Sequence, residues 1–248
     1  MRLQQCPIRR SGTTLPASDA ELLDQGLGEL DQFPTLDGSF SLHSSLFCEA
    51  FHNSAGALNE ARAKFVRPAE VQRFKPDHTL RVLDVCFGLG YNSAALWDSL
   101  SGQTSRMQWW GLEIDARPLR LALADTGFIN HWTHSTFNRL RSLDQCSEWT
   151  DADGQGTLLW GDARQCLDNI SEEQSFDLIF HDAFSPQRCP QLWSEEFLKR
   201  LGDRLAPEGR FLTYSRSAAV RTSLKRAGLE LRSLLPAPGE RQGWSSGT

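Results

Sequence analysis

The sequence predicts a doubly wound α/β fold, in which helices cover both faces of a mostly parallel sheet of seven strands. Three observations support this prediction. Segments with the pattern of buried strands alternate with helical segments from residue 80 onward. The first of these strands ends in a glycine-rich loop, and three of the following strands end in acidic residues. Such alternation forms right-handed βαβ units, whose ligands bind at the carboxyl ends of the strands.

The segment before this region is expected to be less regular. Residues 1–35 are polar and rich in turn-forming residues, which indicates a loosely held N-terminal arm with a short helix around residues 20–30. Residues 37–42 read DGSFSL, a turn and an alternating pattern typical of a short hairpin. Residues 55–66 carry apolar side chains at helical spacing, and Pro68 lies just past the expected helix end. The main domain is expected to span residues 36–248.

The regular part of the chain predicts five strands and five helices. Pro207 and Gly209 are expected to stop the fourth helix, and Gly228 to cap the fifth. Residues near 125–156 show no clear period and predict an irregular insertion with some helix. A closing antiparallel pair completes the seven strands, at residues 229–235 and near Trp244. The strands are expected at residues 80–85, 107–114, 157–160, 176–181 and 210–214, and the helices at 92–100, 117–124, 163–170, 191–205 and 218–226.

Composition excludes several classes of protein. The 248 residues, 40% hydrophobic and 23% charged, are typical of one globular domain with a short appendage. No apolar run approaches the roughly 20 residues of a membrane span, and the first residues lack a signal peptide, so we expect a cytoplasmic protein without membrane contact. The six cysteines are scattered without a CxxC motif, so no metal site and no disulfide framework are expected.

Charge is unevenly distributed along the chain. The formal net charge is −5, yet basic residues outnumber acidic ones between Lys199 and Arg241. This excess, which includes Arg216 and Arg221, either contacts the phosphates of a nucleic acid or forms an ordinary solvated surface.

The first loop favours a ligand that the backbone approaches closely. Residues 84–92 read DVCFGLGYN, in which Gly88 and Gly90 allow a sharp turn before the helix that follows. A tight turn without a ligand is the alternative interpretation. Ser93 stands where the dinucleotide fingerprint has its third glycine, which disfavours a nicotinamide enzyme, and no P-loop motif occurs.

The ends of the second and third strands add two acidic candidates. Glu113 can accept hydrogen bonds from a ribose diol, although a surface carboxylate is the alternative. Asp162 can accept a hydrogen bond from an adenine amino group, or simply cap the next helix. Glycine loop, ribose acceptor and adenine acceptor, in this order, fit an adenosyl ligand without phosphates.

The fourth strand ends in the candidate catalytic residue. Residues 180–186 read FHDAFSP, and Asp182 lies where a methyl-accepting nitrogen would approach. A carboxylate there can orient an amine and help to remove its proton, although a helix cap is the alternative. Phe184 and Trp193 are candidates for a wall that stacks on a base, with core packing as the alternative for Trp193. His181 is interpreted as a buried strand residue.

These motifs resemble those of the methyltransferase half of the bacterial MnmC-type tRNA wobble-uridine modification enzymes. The similarity runs from about Asp37 to the C-terminus. Its most specific part is DAFSP at residues 182–186 followed by PQLW at 190–193, where the family has DGFAP followed by NPxxW. Further matches are DGS at 37–39, EA at 60–61, FV at 65–66, GLGYN at 88–92, APEGR at 206–210, TYS at 213–215 and VR at 220–221.

The resemblance implies a class I S-adenosylmethionine-dependent methyltransferase fold, Rossmann-like, with S-adenosyl-L-methionine as the cofactor. It implies methylation of the aminomethyl nitrogen of 5-aminomethyl-(2-thio)uridine at the tRNA wobble position, with a separate enzyme supplying the aminomethyl group. Because the long family members continue into an FAD-dependent oxidase domain, the chain resembles the stand-alone form. No DNA partner is expected. The implied cofactor-binding residues are Gly88, Gly90, Asn92, Glu113 and Asp162; the catalytic residue is Asp182; the substrate-binding residues are Phe184, Pro186, Trp193, Arg216 and Arg221.

Two departures and three alternatives accompany this hypothesis. In residues 85–90 this chain lacks one glycine of the family pattern GFGTG. Ala183 and Ser185 stand where the family has a glycine and an alanine. The alternative functions are an aminopropyltransferase similar to spermidine synthases, a NAD-dependent oxidoreductase, and a non-enzymatic RNA-binding module. The first expects a second acid just beyond Asp182, where Ser185 and Pro186 stand instead.

Overall fold

The structure, a computed structural model, describes residues 26–101 and 106–232. Most of the predicted arm, the strand near Trp244 and Arg241 therefore lie outside the described residues. In the described part, six strands form the central sheet in the order β6-β7-β5-β4-β8-β9, with β6 antiparallel and the other five parallel. The strands are β4 (Thr79–Val85), β5 (Arg106–Glu113), β6 (Glu148–Asp151), β7 (Gly154–Trp160), β8 (Phe176–His181) and β9 (Leu205–Thr213).

Helices cover the sheet on both sides, which confirms the predicted doubly wound α/β fold. Residues 229–232, where the sixth predicted strand begins, form no strand in the structure. The helices are α1 (Ala57–Ala61), α2 (Tyr91–Ser99), α3 (Arg117–Ala124), α4 (Thr126–Asn130), α5 (His134–Cys146), α6 (Ala163–Cys166), α7 (Glu195–Gly202) and α8 (Ala218–Arg226), with 3-10 turns at Val71–Arg73, Leu167–Asn169 and Pro190–Trp193.

The chain before the central sheet forms a second, smaller sheet. Strands β1 (Leu30–Pro34), β2 (Phe40–Ser44) and β3 (Glu49–Ala50) pair antiparallel in this order, so the predicted hairpin is present. The prediction of a loose arm is wrong for Leu30–Pro34, which pair with β2, and residues 26–30 contain no helix. The Tyr91 hydroxyl donates to the Phe40 carbonyl oxygen at 3.1 Å and so joins the small sheet to α2.

The region near residues 125–156 is regular, which corrects the prediction of an irregular insertion. It contains α4, α5, β6 and the start of β7. Asp125 and Thr133 cap the two helices by accepting hydrogen bonds from Phe128 N at 2.7 Å and Thr136 N at 3.4 Å. Trp149 on β6 packs edge-to-face on Trp97 of α2, with ring centroids 5.7 Å apart. This buried aromatic contact holds the antiparallel strand at the edge of the sheet.

Two predicted boundaries near prolines are also wrong. The helix predicted at residues 55–66 continues from α1 through a π-helical turn at Arg62–Val66 into a last α-helical turn at Arg67–Ala69, so Pro68 lies inside it. Because proline has no backbone N–H, the helix lacks one of its backbone hydrogen bonds at Pro68. The helix predicted to reach residue 205 ends at Gly202, and β9 begins at Leu205. Pro207 lies in a bulge of β9, where no ladder hydrogen bond is required of it.

Candidate active site

One cavity of about 430 Å³ opens at the carboxyl ends of the parallel strands. This volume lies within the usual range of small-molecule sites, and the position agrees with the rule for open α/β sheets. The loops after β4, β5, β7 and β8 contribute Gly88, Glu113, Asp162 and Asp182 to its wall. The small sheet and α1 with its π-helical turn cover the other side with Phe47, Glu49, Phe51, His52, Asn53, Glu60 and Lys64.

The loop after β4 turns through left-handed backbone conformations. Gly88 and Gly90 have φ angles of 58° and 90°, which residues with a side chain rarely adopt. A Cβ atom on Gly88 would lie 3.3 Å from Cδ1 of Phe51 on the opposite wall. Cys86, which stands where the family pattern has its first glycine, also has a positive φ of 69° and lines the cavity. Cys86 thus adopts a left-handed conformation that glycine favours and contributes to the cavity wall.

Glu113 at the end of β5 is a buried carboxylate held by the backbone. Its Oε2 accepts from Gly88 N at 2.7 Å, and its Oε1 accepts from Ile114 N at 2.8 Å and Asp115 N at 3.0 Å. Burial nevertheless raises the pKa of this carboxyl to about 7. The carboxylate is thus fixed in direction at the cavity wall, as a hydrogen-bond acceptor for a ligand must be.

Asp162 caps the helix that follows β7. Its Oδ1 accepts from Arg164 N at 2.9 Å and caps α6, and the same carboxylate pairs with the Arg164 guanidinium. This hydrogen bonding lowers the pKa of Asp162 below its usual value. Asp162 also lines the cavity, as an ionised hydrogen-bond acceptor.

Asp182 follows β8 at the other end of the cavity. Its Oδ2 accepts from Nδ2 of Asn92 at 2.7 Å. Burial, with the negative charge of Glu60, raises the pKa of Asp182 to about 7, against the effects of Asn92 and Lys64. A carboxyl with this pKa can both accept and release a proton near neutral pH. Asn92, predicted beside the cofactor, is a buried residue that positions Asp182.

Phe184 lies in a cluster of three aromatic rings that line the cavity. It stacks on Phe47 with ring centroids 4.5 Å apart, and Phe51 meets it edge-on at 4.9 Å. Glu49 closes this wall by accepting from the Ser185 hydroxyl at 2.6 Å. The sequence prediction included Phe184 but missed Phe47, Glu49 and Phe51, which lie between the predicted hairpin at residues 37–42 and the predicted helix at 55–66.

Trp193 corrects the prediction of a second stacking residue. It is buried in the core, where its indole donates to the Phe184 carbonyl oxygen at 2.7 Å. It therefore supports the loop that carries Phe184 and presents no face to a ligand. Pro186 is half-buried in the same loop. His181 is the expected core histidine, since Nε2 contacts the Leu192 carbonyl oxygen at 2.9 Å and burial lowers its pKa to about 4.

The two basic candidates lie apart from these side chains. Arg216 follows β9 and Arg221 lies on α8, and both are exposed. Within the described ranges, no cluster of three or more potential metal ligands occurs. In the same part of the chain, no helix is both long and apolar enough to cross a membrane.

An adenosyl cofactor with an amino-acid tail fits the donor end of this cavity. Because Gly88 has no side chain, the cavity stays open between its backbone and Phe51, and a Cβ at residue 88 would narrow this space. Glu113 and Asp162, the acceptors predicted from the sequence for a ribose and an adenine, both line the cavity. The wall is mostly apolar between these acids, as the site of a cofactor without phosphates requires.

Comparison with known proteins gives a consistent result. A profile described as "S-adenosyl-L-methionine-dependent methyltransferase" matches residues 126–246. An uncharacterized protein of Methanocaldococcus jannaschii is 32% identical over 197 residues, which cover 78% of this chain and 52% of the relative. The tRNA 5-methylaminomethyl-2-thiouridine biosynthesis bifunctional protein MnmC of Aromatoleum aromaticum is 31% identical over 225 residues, 80% of this chain and 32% of the relative. The chain thus spans about half and about a third of these two relatives.

A solved structure supports the same assignment over a larger share of both chains. The crystal structure of MNMC2 from Aquifex aeolicus superposes with a TM-score of 0.70 at 27% identity, covering 88% of this chain and 73% of that chain. The profile and these relatives favour methyl transfer over aminopropyl transfer, NAD-dependent oxidation and non-enzymatic RNA binding. The chain belongs to the MnmC-type family of S-adenosyl-L-methionine-dependent methyltransferases.

Proposed function

We propose that this chain transfers a methyl group from S-adenosylmethionine to the aminomethyl nitrogen of a modified wobble uridine in tRNA. The observation that carries the proposal is that one cavity joins the donor residues Gly88, Glu113 and Asp162 to the Asp182 carboxyl. The MnmC relatives, which are named for the biosynthesis of 5-methylaminomethyl-2-thiouridine in tRNA, support this acceptor.

The donor end holds the cofactor. Glu113 accepts hydrogen bonds from the ribose hydroxyls, and Asp162 accepts one from the adenine amino group. When bound, S-adenosylmethionine supplies a methyl group carried by a positively charged sulfur. Because this charge is lost during transfer, the protein needs no strong acid and no metal ion. The contribution of the protein is to hold the acceptor nitrogen in line with the methyl carbon.

The acceptor end prepares the amine. Asp182 accepts a hydrogen bond from an N–H of the substrate ammonium and takes the proton that must leave before the nitrogen can act as a nucleophile. Asn92 keeps the Asp182 carboxylate in this orientation through its 2.7 Å hydrogen bond. Phe184 with its two neighbouring rings packs against the pyrimidine of the modified nucleotide.

The remainder of the tRNA is held by charge. Arg216 and Arg221 contact phosphates, and base recognition is left to the cavity. A separate enzyme provides the aminomethyl group, since a methyltransferase site cannot create it. A tRNA substrate also implies a cytoplasmic location.

Two experiments test the two halves of this proposal. Calorimetric titrations with S-adenosylmethionine, its decarboxylated form and NAD test the donor, and selective binding of S-adenosylmethionine is expected. Preference for the decarboxylated form or for NAD would instead favour an aminopropyltransferase or an oxidoreductase. Transfer of labelled methyl to tRNA that carries 5-aminomethyluridine tests the acceptor, with tRNA lacking the aminomethyl group as the control.

A further inference from the structure

The acceptor end of the cavity carries more charge than amine deprotonation by one carboxylate requires. Among the described residues, the carboxylates of Asp182, Glu60 and Glu49 line it, together with the ammonium group of Lys64. Glu49 is occupied by Ser185, whose backbone N and hydroxyl both donate to it. Glu60 and Lys64 are thus a charged pair beside Asp182 with no role in the mechanism above.

The pair is built into the π-helical turn that covers the cavity. Lys64 lies in this turn and forms an ion pair with Glu60 one helical turn earlier. Single π-helical turns are rare and often occur at functional sites. Oε2 of Glu60 also accepts from Asn53, from Nδ2 at 2.8 Å and from the backbone N at 3.3 Å. With its side chain only 13% exposed, Glu60 is held in one orientation by partners on both sides.

The Asp182 carboxyl alone does not fix the orientation of a bound ammonium group. Its Oδ2 already accepts from Asn92, which uses part of the acceptor capacity of this carboxylate. Glu60 is engaged at both oxygens but keeps capacity for a further hydrogen bond, since a carboxylate has about four lone-pair sites. An alkylammonium group has three N–H bonds, and one carboxylate oxygen fixes only one of them. A second fixed acceptor is needed to set the direction in which the nitrogen lone pair emerges after deprotonation.

We propose that Glu60, held by Lys64 and Asn53, is a positioning residue that accepts a second hydrogen bond from the cationic amine of the acceptor. This inference rests on the proposed methyl transfer and specifies the acceptor group as an alkylammonium. Lys64 offsets the charge of Glu60, so that Asp182 is not forced to remain protonated. Lys64 also lies 5.8 Å from the ring centroid of Tyr214, whose hydroxyl donates to the Ala183 carbonyl oxygen at 3.0 Å.

The pKa of Asp182 depends on the charges of both Glu60 and Lys64. Glu60 and Lys64 act on Asp182 in opposite directions, the first raising its pKa and the second lowering it. Titratable groups face this region from every neighbouring element: Glu49 and His52 from the small sheet and the segment after it, Glu60 and Lys64 from α1 and the π-helical turn, Asp84 and Cys86 from β4 and its loop, and Tyr214 after β9.

The test compares Glu60→Gln and Lys64→Gln with the wild-type protein. Glu60→Gln keeps one oxygen as the acceptor for Asn53, replaces the other oxygen with an NH₂ group and removes the negative charge. We expect Glu60→Gln to raise KM for aminomethyl tRNA by about tenfold or more, because a charge-assisted hydrogen bond is weakened. In Glu60→Gln the acidic limb of the pH profile of kcat/KM should move to lower pH, because the charge that raises the pKa of Asp182 is gone. In Lys64→Gln the limb should move to higher pH, because the charge that lowers this pKa is gone. Lys64→Arg keeps the charge and should restore the wild-type limb. The affinity for S-adenosylmethionine should not change in either variant.

The control is Arg120→Gln, which removes an ion pair with Asp144 on the outer helices α3 and α5. It should leave KM and the pH profile at wild-type values. If Glu60→Gln keeps the wild-type KM, or if the limbs of the two variants do not move in opposite directions, the positioning role is wrong while methyl transfer stands. If the wild-type protein itself transfers no methyl to aminomethyl tRNA, the proposed function fails, and this inference fails with it.

Discussion

The side-chain amide of Asn92 donates a 2.7 Å hydrogen bond to Oδ2 of Asp182, linking the first turn of α2 to the end of β8. Asn92 is buried, and Asp182 borders the cavity. The glycine loop thus serves both ends of the site, because Gly88 contacts Glu113 and the helix that follows holds Asp182.

Removing this hydrogen bond should alter the pH dependence of the reaction. Asn92 lowers the pKa of Asp182 against the effect of burial. In Asn92→Ala the pKa therefore rises above about 7, and the acidic limb of the kcat/KM profile should move to higher pH. Rates at alkaline pH should stay below those of the wild-type protein, because Asp182 also loses the hydrogen bond that orients it. An unshifted limb would mean that Asn92 does not influence the titration of Asp182.

Asp182 itself should affect turnover far more than donor binding. Asp182→Asn keeps the shape of the side chain but cannot take a proton, so kcat should fall by about 10²- to 10⁴-fold. The dissociation constant for S-adenosylmethionine should stay the same, because the donor residues lie at the other end of the cavity. Calorimetry and single-turnover transfer measure the two quantities. Equal losses in both would contradict this division of roles.

The glycine loop offers a matched pair of variants. Gly88→Ala and Gly38→Ala both place a side chain at positive φ, with values of 58° and 83°. Each should reduce the free energy of unfolding by about 1–2 kcal/mol. A Cβ at residue 88 points at Phe51 across the cavity, whereas a Cβ at residue 38 meets nothing within 4 Å. Only Gly88→Ala should weaken binding of S-adenosylmethionine; equal donor affinity in the two variants would place the cofactor elsewhere.

Asp84 should make stability depend on pH in a direction unusual for an aspartate. It is buried, Ser93 donates to its Oδ2 at 2.5 Å, and Oδ1 lacks a partner among the described residues. Burial raises its pKa to about 7 in the folded state from a usual 3.8. The folded state therefore holds a proton that the unfolded chain has released, and stability from this group is lost as pH rises from about 4 to about 7.

Comparison with Asp84→Asn isolates this contribution. The variant stays neutral throughout, so it should gain stability relative to the wild-type protein as pH rises, by a few kcal/mol at neutral pH and above. Urea unfolding at about pH 5 and about pH 8 measures the difference. A difference that is the same at both pH values would show that Asp84 titrates normally.

The exposed arginines should contribute to tRNA affinity without specifying a base. The double variant Arg216→Gln and Arg221→Gln should weaken tRNA binding and reduce the salt slope by about 1 for each phosphate that an arginine no longer neutralises. Arg120→Gln, which removes an outer ion pair, is the control. If the double variant retains the wild-type salt slope, tRNA binds to a different face.

The sequence predicted the central βα units because their apolar periods are strong. It failed at residues 134–146, where α5 is mostly polar and only a few of its side chains are buried. Such a helix depends on its caps and on packing against α2, which no local pattern reveals. Pro207 was misleading for a similar reason, since a bulge in the sheet accommodates it.

The site residues also divide into those that the sequence predicted and those that it did not. The residues at the strand ends, Glu113, Asp162 and Asp182, border the cavity because the topology of a parallel sheet brings strand ends together. The segment before the central sheet also lines the cavity with Phe47, Glu49, Phe51 and Lys64, whose spacing carried no signal for the site. Glu60 belongs to the EA match at residues 60–61, which did not indicate its place in the cavity. Trp193 is of the residue type that stacks on bases, and only its burial in the structure excludes this role.

The most direct test is nucleoside analysis by mass spectrometry of tRNA carrying 5-aminomethyluridine after incubation with the protein and S-adenosylmethionine. We predict that the 5-aminomethyl nucleoside disappears and that its singly methylated form appears in equal amount, with S-adenosylmethionine present and not without it. A methyl group on any other nucleoside, or an unchanged 5-aminomethyl nucleoside in the presence of protein that binds S-adenosylmethionine, would contradict the proposed methyl transfer.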